Sequence, residues 1–117
     1  MSTFLLLLHD LPDNPFLKMS PEEMQREVAR YGEWAGQMAA QGRLKGGEKL
    51  EDLTARHLTG NGSKMTITDG PFPETKEVIG GYFLLHADSY DEAVELAATC
   101  PHLDHGRIEV RRIEPMS

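Results

Sequence analysis

The chain has 117 residues, enough for one domain with a single core, so residues 1–117 are read as one unit. Its formal charge is −7, from 12 Lys and Arg against 19 Asp and Glu, and no basic run stands out; nucleic acid is not an expected partner. The one cysteine excludes an intrachain disulfide, and the apolar run Phe4 to Leu8 is too short for a membrane span or a signal peptide, so a cytoplasmic protein is expected.

Thr3 to His9 reads as a strand. Phe4-Leu5-Leu6-Leu7-Leu8 is apolar at every position, which fits a strand covered on both faces better than one with a wet side. Residues 10–19, with Pro12 and Pro15, form a loop. Ser20 then caps a helix over about 21–41, with Pro21 in the first turn and Glu23 completing a Ser-x-x-Glu capping box. Met24, Val28, Tyr31, Ala35 and Met38 draw one apolar stripe along it, and Gly42 is placed to close it. Arg43 to Leu50 reads as a strand whose Gly46-Gly47 calls for a bulge or a close approach by a ligand. Thr54 to Leu58 and Lys64 to Thr68 flank Gly60-Asn61-Gly62, a hairpin signal. Gly81 to His86 is again apolar on both faces. Ser89 and Glu92 begin a short helix with Ala93, Leu96, Ala97 and Cys100 turned inward, and Pro101 ends it. Gly106 opens a last strand, with Ile108 and Val110 on one face and Glu109, Arg111 and Ile113 on the other.

Between the hairpin and the Gly81 strand lies Thr68-Asp69-Gly70-Pro71-Phe72-Pro73-Glu74-Thr75-Lys76-Glu77, followed by Gly80-Gly81-Tyr82. Pro71 and Pro73 fix φ on either side of Phe72 and hold that ring on a stiff arm. Turn chemistry alone explains every Pro and Gly here, so a rigid connector and a pocket wall both fit. The Asp-Gly-Pro-Phe and Glu-Thr-Lys-Glu pieces, with the Gly-Gly-Tyr strand opening, resemble the YCII-related family in its DGPF-domain branch. The resemblance runs from the Ser-Pro-Glu-Glu helix start to the closing Gly-Arg-Ile-Glu-Val-Arg strand.

The element order is that of an α+β, ferredoxin-like βαββαβ unit with an extra hairpin, its two helices on one sheet face. The opposite face would be apolar and bare, which is unusual for a monomer, so a homodimer packed sheet to sheet is expected. The resemblance implies the same assembly, a dimeric α/β barrel.

Three groups of residues carry candidate chemistry. His9 and Asp10, at the end of the first strand, suit acid–base catalysis near neutral pH, although strand neighbours point to opposite faces. The other branch of the family is thought to pair an Asp with a His on the first helix. No histidine lies between Met19 and Gln41 here, so only Asp10 has a counterpart. The second group is Glu48, Asp69, Phe72, Lys76 and Tyr82, expected to form a cleft near Asp10 and His9 for a small polar ligand. The third, Cys100, His102 and His105 with His57 and His86 elsewhere, does not meet known zinc spacings, so no metal is expected; nor is there a nucleotide-cofactor motif. A small acid–base enzyme is therefore expected. The alternative is a non-catalytic binding or regulatory partner, which the resemblance supports because the DGPF branch often accompanies extracytoplasmic-function sigma factors.

Overall fold

The computed structural model describes residues 1–11, 15–52, 54–70 and 78–116. Six strands and two helices follow in the order β1 (Ser2–Asp10), α1 (Pro21–Ala40), β2 (Leu44–Lys49), β3 (Ala55–Thr59), β4 (Thr66–Gly70), β5 (Val78–Ala87), α2 (Tyr90–Ala97) and β6 (Gly106–Arg112). Short 3-10 turns at Pro15–Lys18 and Pro101–Asp104 precede α1 and β6. Four strands form one antiparallel sheet in the order β2-β5-β1-β6, and β3 pairs with β4 in a separate two-stranded sheet. With β3 and β4 set aside, this is the βαββαβ order expected from the sequence. No helix among the described residues is long and apolar enough to cross a membrane.

Helix α1 forms where its signals lie. Ser20 Oγ accepts from the Glu23 N–H at 3.2 Å and Glu23 returns the bond to the Ser20 N–H, which completes the capping box. At the other end Gly42 takes φ +73°, and the N–H groups of Gly42 and Arg43 donate to the carbonyls of Ala39 and Met38. That is a Schellman closure, and it needs a residue at ease with positive φ. The box at α2 is only half made: Ser89 caps Glu92, but the Glu92 carboxylate turns to the Asp88 N–H and to Arg43.

Alternation along β1 sends Phe4, Leu6, Leu8 and Asp10 to the helix side. Phe4 and Leu6 join Leu85, Ala87, Ala93, Ala97, Cys100, Trp34 and Met38 in the core. Trp34, outside the expected stripe, is the main anchor of α1. Its indole N–H donates to Thr99 Oγ1 at 2.7 Å, and its ring meets Phe83 edge-on at 5.0 Å. Val28, inside the expected stripe, is 57% exposed. The reason is that α1 lies on the core only towards its C-terminal end. Its earlier turns stand over a gap.

The other sheet face carries Leu5 and Leu7 of β1 with Tyr82 and Leu84 of β5, all only partly covered. No element among the described residues supplies a second layer there. In β2, Gly47 answers to close packing: a Cβ there would come within 2.6 Å of the Phe83 ring.

Candidate functional site

The gap beneath the early turns of α1 is a cavity of about 310 Å³. Its floor is the end of the sheet, with Leu8, Asp10, Gly81 and Phe83. Its roof is Met24, Glu27, Val28, Tyr31 and Ala35 of α1. Phe16 closes one side, His102 another, and Lys49 with Asp52 stands at the strand end of β2.

Asp10 owes its place to a register shift. Leu8 pairs with Gly81 and His9 with Ile79, so Gly80 is the extra residue of a bulge in β5. A Cβ on Gly80 would run into the Asp10 carboxylate, so glycine there leaves the space that the carboxylate fills. The carboxylate accepts no direct hydrogen bond among the described residues, and His102 Nε2 lies 3.9 Å away. No buried side-chain nitrogen or oxygen among those residues lacks a partner, so the Asp10 oxygens remain open to the cavity. Burial is the largest effect and raises the Asp10 pKa; the neighbouring Asp52 adds to the rise, while Lys49, and His102 only when protonated, oppose it less strongly. Such a carboxyl is suited to exchange protons nearer neutrality than an exposed aspartate.

His102 is 2% exposed and bonded through both ring nitrogens. Its Nε2 lies 2.9 Å from the His9 carbonyl oxygen, which can only accept, so Nε2 carries the hydrogen. Its Nδ1 then accepts from the Tyr31 hydroxyl at 2.8 Å. Burial lowers the His102 pKa and raises that of Tyr31, so the imidazole stays neutral and the phenol protonated. The pair is a fixed strut between α1, the 3-10 turn and β1.

Glu27 is the second acid of the wall. Burial works against its charge, but hydrogen bonds from His105 at 2.7 Å and from Arg30 at 3.1 and 3.2 Å outweigh it and hold its pKa below normal. His105 stacks at a tilt on Phe16, ring centres 4.8 Å apart, which ties the 3-10 turn to this corner. His102 and His105 thus serve different partners and do not converge.

The YCII-related domain pattern matches residues 2–117. The chain belongs to the YCII-related family. A solved structure that this YCII-related chain resembles is 5-chloro-2-hydroxyhydroquinone dehydrochlorinase from Burkholderia phenoliruptrix AC1100, in complex with 2,5-dihydroxybenzoquinone. The TM-score is 0.55 at 17% identity, over 96% of this chain and 93% of that one. At that identity the likeness bears on the fold, an antiparallel sheet with two helices. No curated protein matches the chain in sequence.

Within this YCII-related fold the residues singled out from sequence separate. Asp10 lies in the cavity wall. His9, its neighbour in the strand, turns to the other sheet face, where Nε2 meets Glu109 Oε1 at 3.0 Å. The expectation that it shares the cleft is corrected for that reason. Glu48 and Tyr82 border the cavity but pair with each other in the ladder, and Tyr82 also pairs with Leu7. That register gives their side chains to the far face, so what they offer the cavity is backbone. Asp69 sits on the β3–β4 hairpin, 81% exposed, and pairs with Arg56 Nε at 2.9 Å. It does not line the cavity, because β4 belongs to a separate sheet. Phe72 and Lys76 lie outside the described residues. Tyr31, Glu27 and His102 were not expected as site residues. In the sequence Tyr31 belongs to the apolar stripe, Glu27 carries no signal of its own, and His102 is part of a cluster that misses the zinc spacings.

Proposed function

We propose that this protein is a small enzyme that moves a proton on a small organic molecule held beneath α1, with Asp10 as the acid–base group. The observation that carries the reading is a buried carboxylate, raised in pKa and without a direct hydrogen bond among the described residues, at the floor of a largely apolar cavity. The Tyr31–His102 strut positions the end of β1 that carries it. The likeness in fold to a dehydrochlorinase solved in complex with 2,5-dihydroxybenzoquinone is in keeping with small-molecule chemistry. The bare sheet face supports a homodimer, the dimeric α/β barrel that the DGPF-branch resemblance implies.

The alternative is a non-catalytic binding or regulatory protein. One observation favours it: His9, the histidine expected to share the site, faces away, and His102 is sealed by its own bonds. Turnover decides between them. Small hydroxylated and chlorinated aromatic compounds should be screened for binding by thermal shift and for consumption by absorbance. A converted compound whose turnover falls by about 10²–10⁴ in Asp10→Asn supports the enzyme. Ligands that bind without being converted, equally well by wild type and Asp10→Asn, support the binding protein.

A further inference from the structure

We infer that the cavity selects an uncharged, ring-sized molecule that brings its own hydrogen-bond donors, such as hydroxyl groups on an aromatic ring, and rejects the same ring bearing a carboxylate. The inference rests on the proposed role of the cavity as a ligand site and names the ligand class. Size sets the first limit, because about 310 Å³ is at the small end of ligand pockets. Leu8, Phe16, Met24, Val28 and Phe83 give the middle of the cavity an apolar wall, and two of them are flat rings suited to packing on another.

The hydrogen-bonding inventory sets the second limit. The Tyr31 hydroxyl is spent on His102 Nδ1, and the His102 N–H on the His9 carbonyl. Lys49, the one cation in the wall among the described residues, is engaged by the Leu50 carbonyl at 3.0 Å and Asp52 at 3.4 Å. Acceptors, in contrast, remain open. Asp10 on the sheet side has no direct donor, and Glu27 Oε1 on the helix side takes one bond, from Arg30 at 3.2 Å. An ionised carboxylate accepts and never donates, so the ligand must donate. An anion would meet Asp10, Glu27 and Asp52 with one engaged lysine to offset them, which is unfavourable in a dry cavity.

Three probes of one shape separate the limits: resorcinol, its dimethyl ether, and 3,5-dihydroxybenzoate, titrated into the full-length protein by calorimetry at pH 7.5. Resorcinol should bind at least about tenfold more tightly than either of the others, a gap of 1.4 kcal/mol. Asp52→Asn and Glu27→Gln, each checked for folding by its melting curve, should narrow the gap to the benzoate, because each removes a negative charge and adds an amide donor. Equal or tighter binding of the benzoate overturns the charge limit, and equal binding of the ether overturns the donor limit. Either result leaves the cavity as a ligand site. Binding of none of the three overturns the selectivity, and failure of the wider aromatic screen as well removes the ligand site itself.

Discussion

At the scale of single residues, the tension lies between Asp10 and its surroundings. Its carboxyl is held above the ordinary 3.8, so the folded chain binds that proton more tightly than the unfolded chain does. Stability is therefore lost as pH rises from 3.8 through the folded value. Asp10→Asn should remove this loss: its melting temperature should exceed that of the wild type at pH 7 and approach it near pH 3, while activity falls. His102 has the opposite sign. Its folded pKa lies below the ordinary 6.5, so its contribution is complete above pH 6.5 and is lost as pH falls from there towards the folded value. Melting curves between pH 7.5 and 5 should show that loss, and His102→Gln should flatten it while lowering stability at pH 7.5, where the Tyr31 bond is missing. Gly80→Ala should cost about 1–3 kcal/mol in chemical denaturation, since its Cβ overlaps the Asp10 carboxylate. The position of Asp10 at the cavity was legible in the sequence, because a strand end that opens into a loop can present a side chain to a cleft. His102 was not, because its partners are a backbone carbonyl 93 residues away in sequence and a tyrosine 71 away. Only tertiary structure brings such groups together.

At the scale of elements, local signals were read well and the use of faces less well. The cap, the first-turn proline and the glycine closure of α1 are contacts within a few residues, so sequence alone could place both ends of the helix. Ser20→Ala should lower stability by about 0.5–2 kcal/mol and leave ligand affinity unchanged, because Ser20 touches only its own first turn among the described residues. Equal losses of affinity and stability would show that the start of α1 also shapes the cavity. The apolar stripe was legible as a stripe, but its two purposes were not. Periodicity gives the direction a residue faces, not whether packed atoms or empty space lie there. Trp34 meets packed atoms, and Trp34→Ala should cost about 3–5 kcal/mol. Met24 and Val28 meet the cavity, so shortening either should disturb ligand affinity more than folding.

At the scale of the whole molecule, the thinnest dimension is 18 Å, and a helix with its side chains already takes about 10–12 Å of that. The remainder accommodates one sheet, and among the described residues no second layer covers it. Leu5, Leu7, Tyr82 and Leu84 therefore form a central apolar strip on the uncovered face, bordered by the His9–Glu109 pair and by Arg111. The β3–β4 hairpin adds a second apolar surface, with Leu58 and Ile67 directly opposite each other and 60% and 53% exposed. A two-stranded hairpin is marginal in water without something to pack on, so both surfaces point to association. The proposed homodimer would meet the need at the sheet by setting the two strips against each other. Light scattering at micromolar concentration should therefore report about twice the 13.1 kDa of one chain, because a core-like interface of standard size does not come apart on dilution to that level. Leu7→Glu places a charge in the middle of the strip and should shift the protein to monomer. Arg107→Glu, at the border of the same face, should shift it much less. A wild type that scatters as a single chain would rule out the sheet-to-sheet dimer. A Leu7→Glu variant that folds and stays dimeric would move the interface elsewhere, and the exposed face of the hairpin would be the next surface to test.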